Sequence, residues 1–210
     1  NNKLNVELQK KKGDFYFGEK QFEMAINEYR ILISKFSTGK PVPDSYYWIG
    51  RSQEELDQND LAIKSYTGVV EKYSRHPLAP ESFLRIGKIY SKIQDYSAAL
   101  LTYQNLKSRY PDSESIIEAT YEEGIAYNNM GELEKAKVLF SDVISRGPGS
   151  IIADKSKNSL GIINIKENNY NEALKLFNEI VKERIDEIAA ESQFHIGEIR
   201  KLEGALREAY

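Results

Sequence analysis

Ser82 to Ser113 reads SFLRIGKIYSKIQDYSAALLTYQNLKSRYPDS, and its internal spacing decides the fold. Gly87 is followed by Ala99, Tyr103 and Leu106, and the stretch closes on Tyr110-Pro111-Asp112-Ser113. Alanine, ring and aliphatic stand four and three residues apart, so they share one stripe of a helix. Upstream, Ile86 and Tyr90 flank the glycine on a second stripe, which defines a preceding helix. A proline beyond the last aliphatic ends the unit, because proline removes an amide donor and clashes with the turn before it.

Working outward, the same register recurs along the whole chain. Glycines stand at Gly13, Gly50, Gly87, Gly124, Gly161 and Gly197, and alanines twelve residues later at Ala25, Ala62, Ala99, Ala136, Ala173 and Ala209. Rings follow at Tyr29, Tyr66, Tyr103, Phe140 and Phe177, then aliphatics at Leu32, Val69, Leu106, Val143 and Ile180. A glycine inside a helix costs about 1 kcal/mol against alanine, so its recurrence at one register needs a compensating gain. Close approach of the second helix supplies one, with the large rings filling the space beside the crossing. The six prolines, Pro41, Pro43, Pro77, Pro80, Pro111 and Pro148, all fall between one second helix and the next first helix, and are expected outside the helices.

Composition limits the chemistry. Of 210 residues, 40% are hydrophobic and 29% charged, with a formal net charge of −3, so no basic excess is present to neutralise nucleic-acid phosphates. No apolar run approaches the roughly 18 residues of a membrane-spanning helix. Without cysteine there is no disulfide, thiolate metal site or cysteine nucleophile. The two histidines, His76 and His195, are far apart in sequence. His195 has Glu191 and Glu198 at helical spacing, a pattern equally common on solvated helices. No phosphate-binding glycine loop or nucleophile motif is present. The chain reads as non-enzymatic, with no cofactor or metal. Lys10-Lys11-Lys12 reads as a solubilising run.

The pattern small-x-Tyr-x-x-Gly-x-x-Tyr, then Ala, then Tyr or Phe, then Tyr-Pro-Asp-Ser resembles tetratricopeptide repeats, most clearly in Ser82 to Ser113 and Ala119 to Ser150. The resemblance covers nearly the whole chain. It implies an all-α, right-handed superhelical solenoid of antiparallel helix hairpins, with repeats at about 6–42, 43–79, 80–116, 117–153 and 154–189 and a partial sixth at 190–210, in one array. A coiled coil is a poor alternative, since the repeat is 37 residues and no heptad persists.

In that family the first helix lines a concave groove that holds a peptide or helix of a partner protein. The groove positions lie six and three residues before the glycine and one, four and five after it. Carried over, they single out Phe17, Tyr47, Arg51, Glu54, Leu84, Lys88, Tyr121, Ile125, Asn128 and Phe194, on a face read as opposite to the core stripe. The resemblance therefore implies a scaffold or adaptor. The family's clamp for chaperone C-terminal carboxylates is not expected, since Lys10 is followed by Asp14, which would repel a carboxylate. The alternative is an assembly subunit that oligomerises or docks through its convex face or its ends. The 37-residue period and the Tyr-Pro-Asp-Ser boundary look like the envelope repeats of the Tol-Pal accessory protein and outer-membrane assembly lipoproteins, which would place the chain in the periplasm. A cytoplasmic location is the alternative.

Departures from the repeat carry expectations of their own. Gln53, Asn164 and Arg200 replace the tyrosine three after the glycine, and Glu123 an apolar residue, so those hairpins are expected to be looser. Repeat five ends in Glu183-Arg184-Ile185-Asp186 without a proline, so its second helix is expected to run on or turn differently. Ile188 to Tyr210 is expected to hold a first helix and the beginning of a second, an uncapped end open to self-association.

Overall fold

The computed structural model describes residues 2–36 and 41–208, and among them every regular element is an α-helix. They are α1 (Asn2–Gly18), α2 (Phe22–Lys35), α3 (Pro41–Glu55), α4 (Asn59–Lys72), α5 (Leu78–Lys92), α6 (Tyr96–Arg109), α7 (Ser115–Asn129), α8 (Leu133–Arg146), α9 (Ile151–Lys166), α10 (Tyr170–Glu183) and α11 (Glu187–Glu208). The chain forms two compact units, Asn1–Ile116 and Ile117–Tyr210. In the first, α1 packs on α2, α3 on α4 and α5 on α6, while α2 and α4 each pack on the following first helix. The first helices also touch in series, α1 on α3 and α3 on α5. In the second, α9 packs on α10, with α8 against α9 and α11 against both α10 and α9.

Five of the six glycines are seats for rings. A Cβ on Gly13, Gly50, Gly87, Gly124 or Gly161 would stand 2.4, 2.7, 2.2, 2.7 and 2.5 Å from the nearest ring atom of Tyr29, Tyr66, Tyr103, Phe140 and Phe177 respectively. All five rings are fully buried, as are the alanines Ala25, Ala62, Ala99, Ala136 and Ala173 four residues before them. Each hairpin thus converts a helical glycine, unfavourable alone, into a close crossing that buries a large aromatic surface.

The turns inside the hairpins repeat as strictly as the glycines. Lys20, Asp57, Gln94, Gly131 and Asn168, each seven residues after a seat glycine, have φ between 54° and 80°. Each follows the end of a first helix in the left-handed conformation, and two backbone hydrogen bonds close the helix around it. At Gln94 these run from the Gln94 amide to the Ser91 carbonyl at 3.0 Å and from the Asp95 amide to the Tyr90 carbonyl at 2.9 Å. This double closure satisfies carbonyls that the helix end would leave unpaired.

Three expectations are corrected. Pro41 and Pro43 lie within the first turn of α3, and Pro80 within that of α5. First-turn amides have no upstream carbonyl to bond, so a proline there gives up nothing. Gln53 does not loosen its hairpin: it is buried, and its Oε1 accepts the Ser65 hydroxyl at 2.7 Å, a cross-helix bond in place of the tyrosine's packing. Finally, α11 runs unbroken over 22 residues where a turn was expected. Gly204 stands at the turn register but is helical, and among the described residues nothing lies within 4 Å of a Cβ position on Gly197. The expected start of that second helix at Ala209 lies outside the described residues.

The boundary without proline is held by charge. After α10, Arg184 is extended at φ −132°, ψ 156°, and pairs with Asp186 while reaching Asp154 Oδ2 of α9 at 3.2 Å. Asp154 is buried and also lies 3.4 Å from Lys157 Nζ, so its charge is compensated from two sides.

Candidate partner-binding face

In the first unit, the first-helix face is built on an aromatic pair and a chain of alternating charges. Phe17, at the end of α1, meets the Trp48 ring of α3 edge to face at 4.9 Å and Phe22 at 5.5 Å. The Arg51 guanidinium lies 5.9 Å from the Phe17 centroid and 6.0 Å from that of Trp48. Arg51 also approaches Glu54 at 3.8 Å and Glu55 at 4.0 Å, and its Nε is buried with no hydrogen-bond partner. Glu54 accepts the Tyr66 hydroxyl, which reaches this face from the ring seated on Gly50, and lies 3.9 Å from Arg85 Nη1 of α5. At the outer edge Lys92 Nζ donates to Asp57 Oδ1 at 2.5 Å.

The same route through the hairpin is taken by Tyr29, whose hydroxyl donates to Asp14 at 2.8 Å. Burial, then the neighbouring carboxylate, pushes the Tyr29 and Tyr66 hydroxyls well above the ordinary tyrosine range, so both remain protonated donors. Burial works most strongly against the charge on Arg85, but Glu54, Tyr47, Glu81 and Tyr66 together outweigh it and hold the guanidinium protonated. Lys92 holds the Asp57 carboxyl below its usual range by direct hydrogen bonding.

A cleft of about 500 Å³ opens between α3 and α5, lined by Glu54, Glu55, Asp57, Asn59, Lys88 and Lys92. It brings together two residues that the sequence singled out, Glu54 and Lys88. Asn59 adds an acceptor, Oδ1, that is buried without a partner. A surface with carboxylates and ammonium groups side by side can bind a peptide through its charged side chains.

Tyr47 and Leu84 are corrections. At 5% and 1% exposure they belong to the core, the Tyr47 ring lying 5.6 Å from that of Tyr66. The reason is helical spacing: the residue three before the glycine shares its stripe, so the ring covering the glycine reaches it too. In the second unit Tyr121 obeys the same rule, half-buried with its ring 5.8 Å from Phe140. Phe194 precedes the one glycine without a ring, and it is 63% exposed. Ile125 packs half-buried against the cluster of Ala136, Phe140 and Ile163. Asn128 is half-buried with its Oδ1 unpartnered.

Sequence reasoning missed Trp48, Arg85 and Asn59. Trp48 was findable, since the chain's single tryptophan stands three residues before Arg51 and hence on its face. Arg85 and Asn59 gave no periodic signal. Among the described residues no group of three or more His, Cys, Asp or Glu is placed to hold a metal ion, and no helix is long and apolar enough to cross a membrane.

The tetratricopeptide repeat family model matches residues 44–76 and 81–113, the two repeats that form the cleft. No curated protein matches the chain in sequence. Among solved structures, MamA from Desulfovibrio magneticus is similar at a TM-score of 0.68 and 19% identity, over 85% of this chain and 94% of MamA. A tetratricopeptide repeat protein from Parabacteroides merdae gives 0.71 at 18% identity, over 91% of this chain and 73% of that one. The Rap conjugation gene regulator of plasmid pLS20, in complex with the Phr* peptide, gives 0.63 at 18% identity, over 98% and 58%. At these identities the likeness is one of fold: the chain is an all-helical repeat protein of the tetratricopeptide type, with two repeats matched in sequence by that family.

Proposed function

We propose that the chain is a non-catalytic adaptor whose first unit holds a peptide segment of a partner protein against the faces of α1, α3 and α5. The observation that carries this is the α3–α5 cleft, lined on one side by the carboxylates of Glu54 and Glu55 and on the other by the ammonium groups of Lys88 and Lys92. A cleft acidic along one helix and basic along the other favours a segment of mixed charge over a strongly acidic or basic one. Arg51, lying against Phe17 and Trp48, provides an aromatic and cationic anchor beside it. The solved complex of the Rap regulator with a peptide supports a peptide ligand for this fold. An envelope setting is supported by the 37-residue period and the Tyr-Pro-Asp-Ser boundary. Fractionation of cells expressing the full gene product tests it, with recovery in the cytosol contradicting it.

The experiment is a pull-down with wild type and the double variant Glu55→Lys, Lys88→Glu, which inverts the cleft's charge order at its accessible edge. A partner retained by wild type and lost by the variant, at unchanged melting temperature, supports the reading. Equal capture by both rejects it. A second reading, assembly of copies through α11, is favoured by the exposed Phe194 beside Gly197, which has nothing within 4 Å of a Cβ position among the described residues. Light scattering over a concentration series tests it, and a constant monomer mass contradicts it.

A further inference from the structure

On the opposite side of the first unit, a groove of about 560 Å³ runs between α2 and α4 over a floor supplied by α3. We infer that this groove is a second binding site, separate from the first-helix face, and that its ligand is an acidic peptide segment carrying apolar side chains. Two departures from the repeat create it. Gln53 stands where the next repeat has Tyr90, and Gly68 stands in mid-helix where the next repeat has Asn105. Gly68 is not a seat glycine, and its cost of about 1 kcal/mol in the interior of α4 secures a close approach: a Cβ there would stand 3.2 Å from Cδ1 of Tyr46.

The floor is apolar and the rim is basic. Ile33, Ile49 and Leu61 line the groove, and Leu61 is exposed. Arg30, Lys64 and Lys72 stand around them against one carboxylate, Glu71. That excess of positive charge sits on a chain whose net charge is −3. Lys72 lies over the Tyr46 ring at 5.7 Å, which fixes one cation at the edge of the floor. Apolar side chains of a ligand would bury against Ile33 and Leu61 while its carboxylates meet Arg30 and Lys64, and an overall acidic chain carrying a local basic rim selects for acidic segments by electrostatic complementarity. The first-helix cleft, with its mixed charges, makes no such selection.

Two fluorescent eight-residue probes test this by anisotropy: alternating leucine and glutamate, and its leucine–lysine counterpart. The expected result is saturable binding of the acidic probe alone, weakening as salt rises. Arg30→Glu with Lys64→Glu, both exposed positions, is expected to reduce affinity at least tenfold with an unchanged circular dichroism melt. Glu55→Lys with Lys88→Glu, on the other face, is expected to leave this affinity unchanged. Equal binding of both probes, no binding of the acidic one, or acidic binding that survives the Arg30 and Lys64 reversals would overturn the inference. Acidic binding lost instead in the Glu55 and Lys88 variant would also overturn it, by moving the ligand to the first-helix cleft. Because each face has its own variant, failure here leaves the adaptor reading standing or falling on its own test.

Discussion

The Tyr29 hydroxyl donates to Asp14 Oδ1 at 2.8 Å from a ring that lies against Gly13, so the second helix of the first hairpin sends a polar group beneath the glycine to the opposite face. Tyr66 does the same toward Glu54, and Tyr103 Oη lies 3.3 Å from Ser91 Oγ. In the fourth hairpin the ring is Phe140, and Asn128, at the register of Glu54 and Ser91, has its Oδ1 buried and unpartnered. The tyrosine hydroxyl donates to a carboxylate in two hairpins and pairs with a serine hydroxyl in a third, and in the fourth the Asn128 acceptor stands without such a partner.

Phe140→Tyr is therefore expected to give Asn128 Oδ1 the donor it lacks. A net intramolecular hydrogen bond contributes about 1 kcal/mol, so the urea midpoint should rise modestly. A fall by a similar amount would show that the phenolic oxygen cannot reach the amide.

Gln94 holds a left-handed conformation, at φ 63°, that costs a non-glycine residue roughly 1–2 kcal/mol. Gly131 already occupies the same register in the fourth hairpin. Replacing Gln94 by glycine should relieve that cost, less the entropy glycine gains when unfolded, for a net stabilisation of about 0.5–1 kcal/mol. Thermal melts of Gln94→Gly and of Gln94→Ala check this: the glycine variant should melt highest, and an alanine variant at or above it would contradict the assignment.

Asp186 is held down to about 2, first by its hydrogen bond with Arg184 and then by backbone amides at the start of α11. A carboxylate whose folded value lies below its unfolded value of about 4 contributes stability that is present above pH 4 and lost as pH falls toward 2. An NMR titration should place the Asp186 carboxyl midpoint near 2, and Arg184→Gln should move it up toward about 4. A wild-type midpoint already near 4 would mean that the α10–α11 turn is not held by this pair.

The glycine, alanine and ring register was legible because a fixed period multiplies one weak signal, and each of Gly13, Gly50, Gly87, Gly124 and Gly161 meets the ring sixteen residues on. Tyr47 and Leu84 misled for a physical reason. A face carried over position by position ignores that a residue three before the glycine shares its stripe, and the ring seated on the glycine covers both. Phe17, Arg51, Glu54 and Lys88, one or four residues after a glycine, do stand on the first-helix face. The hairpin turns read as short polar joints, as at Met130-Gly131-Glu132 and Glu167-Asn168-Asn169-Tyr170, but their left-handed residue was not legible, because only Gly131 among them is a glycine and Lys20, Asp57, Gln94 and Asn168 announce no such backbone by type. Proline proved a weaker boundary than its chemistry suggests, since Pro43 and Pro80 occupy first turns where no amide is missed.

That glycines serve as ring seats is tested most directly by urea denaturation of Gly87→Ala beside Gly197→Ala. A methyl on Gly87 would stand 2.2 Å from Cε1 of the fully buried Tyr103, whereas nothing lies within 4 Å of the same point on Gly197. Overpacking should outweigh the better helix propensity of alanine at Gly87, for a net loss of about 2 kcal/mol. At Gly197 propensity acts alone and should stabilise by roughly 0.5–1 kcal/mol. A Gly87→Ala protein as stable as wild type would contradict the crossing on which every assigned face depends.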